Sequence, residues 1–222
     1  MPTIKDQEPR IKNQLRVLIT GGPTREPIDA VRFISNRSSG RTAVALGLAA
    51  LEEGHTVTLL LGPCCAAVPD GVHLDRFETT RELEALLEIH FQGCDLLIMA
   101  CAVADYRPVH TSAGKLPRLA DKPLALELEA TADLTAAMAQ RRTPAQRIVA
   151  FALEEPNKIQ ARAREKLTRK NADAIVANPL DTIESQMIEP LWLTAAGGHA
   201  APGPMTKDDF ARWLLQRALE LW

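Results

Sequence analysis

"RVLITGGPTREPIDAVRFISNRSSGRTAVALGLAALEEGHTVTLLLG", residues 16 to 62, sets a polar, glycine-marked stretch and a helical period between two short apolar runs. "RVLIT" (16–20) is β-rich and stops at Gly21-Gly22-Pro23. Val44, Gly47, Leu48 and Leu51 then recur at helical spacing until Gly54, and "TVTLLLG" (56–62) is a second buried run. Strand, loop, helix and strand in that order predict two parallel strands joined by a helix over one face of their sheet.

The pattern continues along the chain. "VHLDRFE" (72–78) is a third strand, and Thr79-x-x-Glu82 is a capping box opening a helix that carries Leu83, Leu86 and Leu87. "DLLIMACA" (95–102) is apolar enough for a central strand. "LALELE" (124–129) alternates as a half-exposed strand does, and a short helix follows Asp133. "RIVAFAL" (147–153), a helix over 157–170 and "ADAIVAN" (172–178) make another βαβ unit. "PLWLTA" (190–195) is expected as a last edge strand. From Thr206-x-x-Asp209 a final helix brings Phe210, Trp213, Leu214 and Leu221 to one face. The expectation is an α/β fold: a three-layer, mostly parallel, Rossmann-like sheet with an extra C-terminal edge strand and helix. Residues 1–14 are expected as an N-terminal tail and 15–222 as one domain. The longest irregular pieces are 103–123 and 179–189, and long loops in such domains often bind ligands.

Composition narrows the function classes. Twenty-six basic against 28 acidic residues give a formal charge of -2, so no global field draws the chain to nucleic acid or to a membrane, and anion binding has to be local. Cys64, Cys65, Cys94 and Cys101 lack Cys-x-x-Cys spacing, and no stretch resembles a secretory signal. Reduced thiols and a cytoplasmic location are therefore expected. No apolar run reaches the roughly 18 residues of a membrane helix.

Ligands of open parallel sheets sit beyond the carboxyl ends of the strands. The loop after the first strand lacks G-x-G-x-x-G, no acidic residue follows the second strand at Gly62-Pro63, and G-x-x-x-x-G-K-[ST] is absent. Neither a standard nicotinamide-dinucleotide site nor a Walker loop is present. Ser38-Ser39-Gly40, however, stands where the first helix begins, and a helix N-terminus offers unpaired N–H groups and a positive dipole end to a phosphate. The plainer alternative is that Ser38 or Ser39 caps the helix.

"VLITGGPTREPIDAVRFISNRSSGRTAVAL", "MACAVADYRP", Lys115, "VAFALE" and "EKLTRKNADAIVAN", in this order and spacing, resemble the phosphopantothenate-cysteine ligase (phosphopantothenoylcysteine synthetase) family of coenzyme A biosynthesis. The resemblance runs from about residue 15 to about 180 and fades over the last forty residues. It implies that 4'-phosphopantothenate attacks the α-phosphate of CTP, or of ATP in some members, to give an acyl nucleotidylate and pyrophosphate, and that cysteine then takes the acyl group. Mg²⁺ is expected with the nucleotide, held largely by phosphate oxygens and water, with no dedicated protein metal site. A homodimer is the family expectation. In many bacteria the ligase follows a flavin-dependent decarboxylase; this chain is expected to hold the ligase alone, with any decarboxylase as a separate partner.

The same resemblance assigns residues. Lys115, Lys166 and Lys170 correspond to contacts with nucleotide phosphates, with Lys115 the leading catalytic candidate. Without it, Lys166 and Lys170 are an i, i+4 pair on a solvated basic face. Ala100, Cys101, Asp105 and Phe151 are expected at the nucleotide, Asp105 having the structural alternative of pairing with Arg107. Cys101 is read as a small buried thiol and not as a nucleophile, because no His stands nearby in the sequence to activate it and acyl nucleotidylate chemistry needs no enzyme thioester. Ser38, Ser39 and Gly40 are assigned to the phosphate of phosphopantothenate, Arg32 and Asn36 to the reacting acyl group, and Arg37 and Arg41 to the periphery. One departure stands out: Lys115-Leu116-Pro117-Arg118 replaces the family's Lys-x-Lys-Lys, which removes one cation and stiffens the loop. A nucleotide-binding regulatory homologue without turnover is the alternative function.

Overall fold

The computed structural model describes residues 14–118, 123–182 and 185–222. The expected N-terminal tail lies outside them except for its last residue. The chain begins with β1 (Arg16–Gly21), and a hairpin of β2 (Arg25–Pro27) and β3 (Phe33–Ser35) occupies the loop before α1 (Arg41–Glu52). β4 (Thr56–Leu61), β5 (His73–Arg76), α2 (Thr80–His90) and β6 (Leu96–Met99) follow. A second hairpin, β7 (Tyr106–Pro108) with β8 (Leu128–Ala130), precedes α3 (Leu134–Arg141), β9 (Arg147–Glu154), α4 (Ile159–Lys170) and β10 (Ala174–Pro179). The end holds β11 (Met187–Ile188), β12 (Leu191–Thr194), β13 (His199–Ala200), β14 (Met205–Thr206) and α5 (Lys207–Leu219).

Eight of these strands form one sheet in the order β13-β12-β10-β9-β6-β1-β4-β5. The six strands from β10 to β5 are parallel. β12 and β13 add antiparallel. Side chains alternate across the sheet as the strand period requires. Val17, Ile19, Leu96, Ile98, Val149 and Val176 face α1 and α5, while Leu18, Leu97, Ile148 and Ile175 face α2, α3 and α4. Both faces are buried under helices, and each fully buried aliphatic side chain contributes about 1.5–3 kcal/mol. The three-layer expectation holds.

Four details differ from the sequence reading. The C-terminal strand over 191–194 lies one place in from the edge, because two-residue β13 covers it. The strand expected to run to residue 102 leaves the sheet after Met99. Of the stretch 124–129 only the last residues enter a strand, and β8 is exposed throughout. Leu221 lies beyond the end of α5. The capping box of α2 forms as expected, with Thr79 Oγ1 accepting from Glu82 N–H at 3.2 Å. Gly21 permits the close seating of α1 on β1, since a Cβ there would stand 2.2 Å from that of Ala43.

Candidate functional site

β1 and β6 are neighbours, but the chain leaves β1 toward β4 and β6 toward β9 on the opposite side. Their outgoing loops therefore part and leave a crevice, the usual ligand position of an open α/β sheet. The loops first run together: Ala102 N–H donates to Gly22 O at 2.9 Å, and Ala104 N–H donates to the buried Thr24 Oγ1 at 2.9 Å. Below them, Cys101 N–H donates to Thr20 Oγ1 at 3.2 Å.

Two adjoining cavities open in the crevice. The larger, about 580 Å³, is lined by Asn36, Ala100, Cys101, Asp105, Phe151, Lys166 and Lys170, among others. Seven residues expected from separate segments thus meet in one place. Lys166 pairs with Glu154 at 2.6 Å, and Lys170 Nζ holds both oxygens of Asp133 at 2.7 and 2.8 Å. Burial pushes the Asp133 carboxyl up, but Lys170 and the Ala136 N–H that Asp133 caps bring it below its ordinary value. The two lysines read from spacing as a solvated face are set instead against the cavity wall. Asn36 crosses the crevice, its Nδ2 donating to Val103 O at 2.8 Å; the amide retains a second N–H and an acceptor. Asp105 is exposed at the rim, and its expected alternative partner, Arg107, pairs with Glu129 at 2.7 Å. Burial pushes the Cys101 thiol up, helped by Cys64, and a raised thiol is a poorer source of thiolate.

The smaller cavity, about 140 Å³, is lined by Ser38, Ser39 and Gly40. The helix they precede has Gly40 itself as N-cap, and no side chain makes the capping hydrogen bond. The capping alternative for Ser38 and Ser39 therefore fails. Gly40 is required twice over: its φ is +71°, and a Cβ would stand 2.6 Å from Cys64 Sγ. Arg37, expected at the periphery, lines both cavities. So does Asn178 at the carboxyl end of β10, whose buried Oδ1 accepts from no donor among the described residues. The strand-end rule points to Asn178 in "ADAIVAN", although the sequence reading passed it over. Lys207, at the start of α5, also borders the smaller cavity; burial and the neighbouring Arg41 lower its ammonium from the ordinary value.

Arg32 and Lys115 line neither cavity. Arg32 is bound to Asp29, whose buried carboxylate also accepts from the N–H groups of Val31 at 2.8 Å, Arg32 at 2.8 Å and Leu116 at 3.1 Å. Burial pushes this carboxyl up, but these donors outweigh it and hold it well below the usual carboxylate range. Arg32 donates further to Leu116 O at 2.8 Å. Asp29, which the sequence did not single out, thus ties the turn between β2 and β3 to the loop that carries Lys115. Residues 119–122, the end of that loop's irregular stretch, lie outside the described residues.

Known proteins resemble this arrangement over most of its length. The DNA/pantothenate metabolism flavoprotein C-terminal domain family matches residues 12–221. A protein of an unknown prokaryote named cysteine/cysteine sulfinic acid decarboxylase is 43% identical over 170 residues, covering 76% of this chain and 46% of that protein. The Coenzyme A biosynthesis bifunctional protein CoaBC of Mycolicibacterium smegmatis is 33% identical over 195 residues, covering 83% and 47%. The chain thus spans about half the length of these relatives. A crystal structure of the C-terminal domain of a CoaBC protein superposes with a TM-score of 0.80 at 32% identity, covering 93% of this chain and 95% of that one. This chain belongs to the DNA/pantothenate metabolism flavoprotein C-terminal domain family.

Proposed function

We propose that this member of the family joins 4'-phosphopantothenate to cysteine through an acyl nucleotidylate, drawing on CTP, or on ATP, and releasing pyrophosphate in coenzyme A biosynthesis. The observation that carries the reading is the convergence of Asn36, Asp105, Phe151, Lys166 and Lys170, from four separate segments, on one crevice next to the serine loop. The likeness to CoaBC supports the pathway.

The steps follow from charge and hydrogen bonding. The triphosphate lies along Lys166 and Lys170, which exchange Glu154 and Asp133 for phosphate oxygens. Phe151 offers a ring face to the nucleoside, and Asn178 Oδ1 accepts from a base amino group or a sugar hydroxyl. Ser38, Ser39 and the N–H groups at Gly40 take the phosphate of phosphopantothenate. Its carboxylate then attacks the α-phosphate, and Lys115, carried by its loop, neutralises charge gathering on the departing pyrophosphate. The amino group of cysteine next attacks the acyl carbonyl while the Asn36 amide donates to the developing oxyanion; the acyl C–O bond breaks, the nucleoside monophosphate leaves and the amine gives up a proton to water. Arg32 acts beside Asn36 through the loop it braces. The donors fit Mg²⁺: Asp105 is a rim carboxylate, and this ion needs one or two carboxylates besides phosphates and water. When bound, it offsets triphosphate charge.

The reading extends to a cytoplasmic protein that works as a homodimer, with a decarboxylase as possible partner. The two hairpins support the dimer, because Val31, Phe33, Tyr106 and Leu128 expose large apolar surface. Pyrophosphate release is the direct test: it should require phosphopantothenate, Mg²⁺ and a nucleoside triphosphate, with CTP best. A folded sample that binds a nucleotide but releases no pyrophosphate with CTP, ATP, GTP or UTP would instead be the regulatory homologue.

A further inference from the structure

His73 and Asp75 stand two residues apart on β5 and so share one face of this edge strand. His90, the last residue of α2, comes down onto that face. Nε2 of His73 lies 3.2 Å, and Nε2 of His90 2.7 Å, from the same oxygen, Oδ2 of Asp75. The two rings are 5.6 Å apart at 55°. One donor atom from each of the three residues lies within 4.8 Å of the others. Tetrahedral zinc, with bonds of about 2.0–2.1 Å, sets its ligand atoms about 3.3 Å apart. Two edges of such a ligand triangle are thus within reach of their final length, and only the separation of the two imidazoles has to adjust. The His73 side chain is 62% exposed against 20% for His90, which leaves a fourth position open to water. Two imidazoles with one carboxylate suit zinc-class ions and not Mg²⁺ or Ca²⁺, which take oxygen ligands in greater number.

We infer that His73, Asp75 and His90 form a binding site for a zinc-class divalent ion that clamps edge strand β5 to the end of α2. The site is separate from the crevice. None of the three residues lines either cavity of the crevice. β5 has one sheet neighbour, β4, so a bond to α2 adds a second attachment. An ion that binds only the folded chain stabilises it by mass action.

The test uses the intact chain, stripped with a chelator and titrated with ZnCl₂ by calorimetry without nucleotide or Mg²⁺. One ion per chain should bind with a Kd of about 10 μM or tighter, and at a hundredfold excess over Kd the Tm should rise by about 5 °C. His73→Gln and Asp75→Asn should each weaken binding at least about 30-fold. The exposed His73→Gln variant should keep its circular dichroism and its pyrophosphate release. A Cys64→Ser/Cys65→Ser variant should bind zinc as the parent does. The inference is overturned if the parent binds more weakly than about 100 μM, if the histidine and aspartate variants bind like the parent, or if the cysteine variant loses the ion. Each of these outcomes leaves the proposed ligase reaction untouched.

Discussion

The cations around the crevice are held in two ways. Lys166 and Lys170 rise from α4, a helix seated on the sheet, and each is fixed by a carboxylate on a neighbouring element. Lys115 follows Gly114 in an exposed loop anchored to the β2–β3 side, with Ser112 N–H donating to Ile28 O at 3.1 Å and Leu116 N–H to the Asp29 carboxylate at 3.1 Å. A cation on a packed helix is in position before ligand arrives, so it adds to ground-state binding. Under the proposed reaction, one on a loop outside the cavity would add little to ground-state binding and would act in the transition state. The lysine that matters most for rate need not be the one the cavity already holds.

The comparison can be broken most directly at Lys115. Lys115→Gln should lower kcat for pyrophosphate release by about 10² or more while leaving nucleotide affinity nearly unchanged. A raised nucleotide Kd with normal kcat would erase the distinction. Asn36→Asp tests the crevice wall in the second step: it should slow formation of phosphopantothenoylcysteine by about 10², on the scale of one lost oxyanion donor, and let acyl nucleotidylate accumulate in a quenched reaction with labelled phosphopantothenate. Proportional loss of both steps without accumulation would make Asn36 a loop-forming residue only. Lys170→Gln should do the reverse of Lys115→Gln, raising the nucleotide Kd by about 10-fold, with kcat at saturation within about threefold of the parent.

The smallest expected effect concerns the brace between the two loops. The Asp29 carboxyl is lowered in the folded chain, so its contribution is fully present above the unfolded carboxylate value of about 3.9 and is lost only as the pH falls through the lower folded value. Asp29→Asn should reduce the Tm by a constant few degrees between pH 8 and about pH 5. The difference should shrink only in stronger acid. A gap that closes near pH 6 would mean that another group holds the loop.

Much of this architecture is legible in the residues. The runs at 16–20, 56–62, 95–99 and 147–153 are apolar enough to mark largely buried strands, and the capping pairs Thr79/Glu82 and Thr206/Asp209 mark helix starts within a residue. The short hairpins were not legible, because three-residue strands carry no measurable period and are set by the loops they pair with. α4 shows the limit for the site: it buries only Ala163 and Leu167, so periodicity gives no hint that Lys166 and Lys170 lie against a wall formed by Glu154 and Asp133. Asp29 was missed for a related reason. Its three partners in backbone N–H groups come from two loops, and no spacing in the chain predicts their meeting.

The central place of β1 has a consequence for synthesis. Its partner β4 arrives after a single helix, but its other neighbour, β6, comes much later: the bond from Arg16 N–H to Asp95 Oδ2 spans 79 residues. At about 5–20 residues per second, a ribosome leaves one edge of β1 open for about 4 to 16 seconds. During that time the nascent chain presents an apolar strand edge to chaperones and to other chains. The wall of the smaller cavity is completed later still, when Lys207 at the start of α5 is in place, so a polypeptide stalled before that residue carries Ser38 and Ser39 beside an unfinished cavity.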